Sequence, residues 1–89
     1  MTSLAADLRP AKIKRATSSL NKSTSRAVDM ARLHLRTGNP GAYARSLAGG
    51  HRSANTRQQR AIEAVIASDA CERLFTRHPG NGCLLAREG

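Results

Sequence analysis

Only 15 of the 89 residues are Leu, Ile, Val or Phe, about 17% of the chain. That share lies below the roughly 20% at which a highly charged chain struggles to bury enough apolar area to fold. Alanine supplies another 15 residues, and it favours helix while burying little surface. The expectation is therefore an all-α fold: a small bundle of three to four short helices around a thin core. A core this thin in so short a chain wants help, and dimerisation or stabilisation by a partner is expected. The same arithmetic excludes a transmembrane span and a large enzyme with a deep pocket. Two cysteines exclude a disulfide-dense scaffold.

Charge adds direction. Fifteen Lys and Arg oppose six Asp and Glu, for a net charge of +9. Residues 1–60 hold twelve of the basic side chains and two acids, Asp7 and Asp29, whereas residues 61–89 hold three basic and four acidic ones. An excess this regional draws polyanions and speeds their encounter. Twelve of the fifteen cations are Arg, whose planar donor fork suits phosphate and carboxylate. Nucleic acid leads as partner, ahead of an acidic protein surface; a membrane is not expected. Residues 1–9 lack the apolar run of a secretory signal, and Pro10 with the Ser/Thr clusters argues against a mitochondrial presequence. A cytoplasmic protein of bacterial or phage type is the expectation.

Along the chain, residues 1–20 read as a mobile basic arm, residues 21–77 as the helical domain, and residues 78–89 as a Gly/Pro turn with a short apolar tail. The first helix runs from about Asn21 to Arg36, stopped by Thr37-Gly38-Asn39-Pro40. Its apolar face carries Ala27, Val28, Ala31, His34 and Leu35, opposite a basic stripe. A second helix starts at Pro40 or Gly41 and is expected to end at Gly49-Gly50. Ser53 looks like the cap of a third, Ala54 to Ala67, burying Ala61, Ile62, Val65 and Ile66. Ser68 or Asp69 would cap a fourth, to about Arg77, offering Cys71, Leu74 and Phe75 to the core. The Cys83-Leu84-Leu85 tail would dock back or meet a partner. No segment alternates with period two, so no sheet is expected.

A helix-turn-helix across Gly49-Gly50 fits poorly, because that turn is looser than the usual single-Gly one. The following helix nevertheless carries Asn55, Arg57, Gln58, Gln59 and Arg60, types that pair with base edges, although a solvated polar face explains them too. With one Tyr, one Phe and no Trp, stacking platforms for single strands are lacking, which favours a duplex. Cys71, His78 and Cys83 have no close-paired spacing, so no metal is expected. A Cys71–Cys83 disulfide would stay reduced inside a cell. Asp29 is explained by helix-surface pairing with Arg26 or Arg32, and Glu63, Asp69 and Glu72 by surface placement or capping. No catalytic set or cofactor is expected.

The functional expectation is a small non-catalytic regulator that binds nucleic acid mainly through phosphate. Lys12, Lys14, Arg15, Lys22, Arg26, Arg32 and Arg36 would contact the backbone, and Arg52, Arg57, Gln58 and Arg60 would supply any base reading. The alternative is a mobile-element-type inhibitor or adaptor docking on an acidic surface of a larger host protein. Met30, Leu33, Tyr43, Leu84 and Leu85 are the apolar residues expected at a protein interface or in a homodimer.

Overall fold

The computed structural model describes residues 19–87. The arm residues Lys12, Lys14 and Arg15 lie outside them. The described chain is mostly helical, with three helices, α1 (Lys22–Arg36), α2 (Pro40–Ser53) and α3 (Thr56–Ser68). A 3-10 turn (Glu72–Leu74) then leads into a two-stranded antiparallel hairpin, β1 (Phe75–Arg77) and β2 (Leu84–Ala86). The hairpin pairs Phe75 with Ala86, Thr76 with Leu85 and Arg77 with Leu84.

Helix α2 is the centre of the molecule. It buries Tyr43, Ala44, Leu47, Ala48 and His51, and it packs against α1, α3 and β2. Val28 and Ala31 come from α1, Ile62, Val65 and Ile66 from α3, and Cys71, Phe75 and Leu84 from the C-terminal segment. The aromatic rings of Tyr43 and Phe75 meet edge to face at 6.3 Å, a favoured arrangement. Small residues let α1 and α2 come close, which gives an alanine-rich chain its dispersion contacts.

Three expectations need correction. Helix α2 does not stop at Gly49-Gly50; it continues to Ser53. Each helical glycine costs about 1 kcal/mol relative to alanine, but continuing buries His51. A Cβ on Gly50 would lie 3.2 Å from the Ala27 Cβ, so glycine is what admits α1 there. In consequence Ser53 is not a cap: its hydroxyl donates to the Gly49 carbonyl, Asn55 caps α3, and no helix-turn-helix pivots on the two glycines.

The expected fourth helix is also absent. After Ser68 the chain closes a Schellman motif: Ala70 N–H donates to Ala67 O and Cys71 N–H to Ile66 O. Ala70 takes the left-handed φ of 56° at the position where glycine is usual. Asp69 thus ends α3 instead of starting another helix, and the chain leaves extended. The apolar tail docks back as β2, with Leu84 buried in the core. The fold is mostly helical with a small sheet, not all-α.

Candidate nucleic-acid interface

Helices α1 and α3 begin side by side, each capped by an asparagine. The Asn21 side-chain oxygen accepts from Thr24 N–H at 2.8 Å, and that of Asn55 from Gln58 N–H at 2.9 Å. Gln58 stitches the two starts together: its Oε1 accepts from Asn21 N–H, and its Nε2 donates to Ser19 O, both at 2.8 Å. The first N–H groups of a helix have no partner within it and carry the positive end of the helix dipole. Neither helix has an acid in its first turn.

Between these starts and the last turn of α2 lies a cleft of about 450 Å³. Asn21, Ser23, Thr24, Ala27, Gly49, Gly50, Ser53, Ala54 and Asn55 line it. The end of α2 brings carbonyls of opposite sign, but several are engaged. Gly49 O accepts from Ser53 Oγ, and His51 O accepts from Ala54 N–H and Gln59 Nε2. Thr24 N–H and Gln58 N–H at the two helix starts are likewise engaged, by the asparagine caps. Lys22 and Arg52 adjoin its lining in sequence, Arg57 lies two residues beyond Asn55, and all three are exposed. A Cβ at Gly49 would meet nothing within 4 Å, so the cleft is open there.

Among the described residues, Lys22, Arg26, Arg36, Arg45, Arg52, Arg57, Arg60, Arg73 and Arg87 are exposed and form no ion pair. Arg32 is different: it reaches Asp69 through Nε and a terminal nitrogen, at 3.4 and 3.2 Å. It is a strut, and it does not pair with Asp29. Arg77 donates to Glu63 at 2.9 Å.

Three sites expected at an interface lie inside the fold. Gln58 is buried with both ends of its amide used, so it reads no base. Asn55, of the same base-pairing type, is spent as a cap. Tyr43 is fully buried, and its hydroxyl donates to Asp69 at 2.7 Å; burial and the Asp69 carboxylate push that phenol far above its ordinary range. Leu84 is core. Leu85 is half-buried on β2, while Met30 and Leu33 stand exposed on α1. Of the nine residues that line the cleft, sequence reasoning singled out Asn55 alone as a contact; the signal for the rest was Asn21 and Asn55, whose capping chemistry marks two helix starts.

The C-terminal part of the chain makes a separate recess of about 340 Å³, lined by Glu63, Ile66, Glu72, Phe75, Thr76, Arg77 and Leu84. It shares no residue with the cleft. Behind it His51, only 1% exposed, has both nitrogens engaged. Nδ1 accepts from Leu84 N–H at 3.4 Å, which assigns the proton to Nε2, facing Glu63 at 2.8 Å. Burial opposes ionisation of Glu63, but the hydrogen bonds from His51 and Arg77 outweigh it and hold the carboxyl below its usual value. This His–Glu pair fastens elements together and offers a substrate no free nitrogen. Cys71 and Cys83 are both free thiols, and burial pushes the Cys71 thiol up. Among the described residues no three His, Cys, Asp or Glu side chains gather to hold a metal, and no helix is long and apolar enough to cross a membrane. Comparison with protein families, curated proteins and solved structures finds no match to this chain.

Proposed function

We propose that this protein is a small non-catalytic regulator that binds duplex nucleic acid mainly through phosphate contacts. The observation that carries the reading is two helix N-termini without acids that converge on one cleft, with exposed Lys22 and Arg52 next to its lining residues in sequence and Arg57 two residues beyond Asn55, none of them in an ion pair among the described residues. Oriented backbone N–H groups with unpaired Arg favour a phosphodiester anion. Both aromatic side chains of the chain, Tyr43 and Phe75, are buried, so bases have no exposed ring to stack on, which favours duplex over single strand.

The test is binding to a labelled random-sequence duplex as salt is varied. About five engaged cations predict a log–log salt slope of roughly −4 to −5. Replacing Arg52 and Arg57 together by Ala should weaken binding and reduce the slope by about 2. Arg32→Ala should leave the slope unchanged, because that guanidinium is held by Asp69. Absence of binding at low salt would overturn the reading and turn attention to an acidic protein surface.

A further inference from the structure

Met30 and Leu33 are 53% and 47% exposed, and they are the exposed large hydrophobics among the described residues. In a chain with so few apolar side chains, both stand on one helix, one turn apart. At 100° per residue Leu33 lies about 20° from Lys22 and Arg26 and about 60° from Arg36, on the side opposite Val28 and Ala31. Asp29 shares this face and is outnumbered by the three cations, none of which forms an ion pair among the described residues.

We infer that α1 acts as a wedge: Leu33, backed by Met30, enters a base step of a bound DNA duplex from the minor groove and kinks it. The inference rests on the nucleic-acid reading above. Unstacking one base step needs only one or two apolar side chains with cations holding the phosphates on either side. A ligand with dense negative charge outside and apolar stacked surfaces within answers both features of this face. Flexible pyrimidine–purine steps are the preferred points of entry, since they kink most easily.

The experiment is energy transfer between dyes at the two ends of a short duplex carrying a central TA step. The full chain should shorten the end-to-end distance, with a bend in the range of about 20–90°. Leu33→Ala with Met30→Ala should bind with the same salt slope and lose at least half of the bend. Leu33→Phe should restore it. Both positions are exposed, and thermal melts establish that the variants fold. Binding without bending, or equal bending by the Ala variant, overturns the wedge while leaving phosphate binding intact. No duplex binding at all overturns the underlying reading. Binding to poly-glutamate that depends on Leu33, with no such dependence on duplex, reassigns the face to an acidic protein and overturns the wedge.

Discussion

The carboxylate of Glu63 holds together three parts of the chain. One oxygen takes the His51 proton from α2, and the other takes Arg77 from β1. Removing it leaves a buried imidazole N–H without a partner, so Glu63→Ala should destabilise the fold by about 1–3 kcal/mol. The pH dependence has a definite sign. The folded carboxyl titrates below its usual value of 4.5, so its contribution is complete above that value and is lost as pH falls through the folded one. Melting temperature should therefore drop on acidification below about pH 4.5, and Glu63→Gln should flatten that drop. Neither role was legible in the sequence. At 100° per residue Glu63 faces away from the Ile62–Ile66 stripe, and only the extension of α2 beyond Gly50 brings His51 to it. Gln58 escaped in the same way. An amide two residues from an arginine reads as a base contact until its neighbour turns out to be the start of another helix.

At the scale of elements, glycine and alanine stand in each other's expected places. Gly49 and Gly50 lie inside a helix, and Ala70 takes a left-handed turn. Gly49→Ala meets open space and should stabilise α2 by about 0.5–1 kcal/mol. Gly50→Ala should lose that gain, because its Cβ presses on Ala27 at 3.2 Å. Ala70→Gly should raise stability by up to about 1 kcal/mol, since an L-residue pays roughly 1–2 kcal/mol for αL while glycine gives part of that back as chain entropy. Urea denaturation of the three variants checks all three signs. These exchanges explain which elements could be read. Helix α1 had a cap, a periodic face and a Gly-Asn-Pro stop, and its bounds were within a residue. The end of α2 followed the wrong glycine signal. The end of α3 had no glycine to mark it, and strands of three residues are too short to show alternation.

At the scale of the whole molecule, the cleft and the recess have separate linings: the recess carries Glu63, Glu72 and Arg77, and the cleft lining carries no charged side chain. The charge split along the chain was legible because charge is additive; the cleft itself depends on Gln58 reaching Asn21, 37 residues away. Like charges that repel within the fold are relieved by screening. Added sodium chloride should therefore raise the melting temperature of the free protein while weakening its binding to duplex. Calorimetry across a salt series checks the first trend, and a falling melting temperature would contradict it.

Strand β2 has a consequence for how the chain acquires its shape. Leu84 reaches the core, and its amide finds the His51 ring, from 33 positions downstream. During synthesis, α1, α2 and α3 emerge from the ribosome with Phe75 and the His51 nitrogen still without their covers. Closing that long loop lowers chain entropy before its contacts are made. The contact between β2 and α2 thus waits on the synthesis of Leu84, and until then the His51 side of α2 lacks the cover that the strand provides.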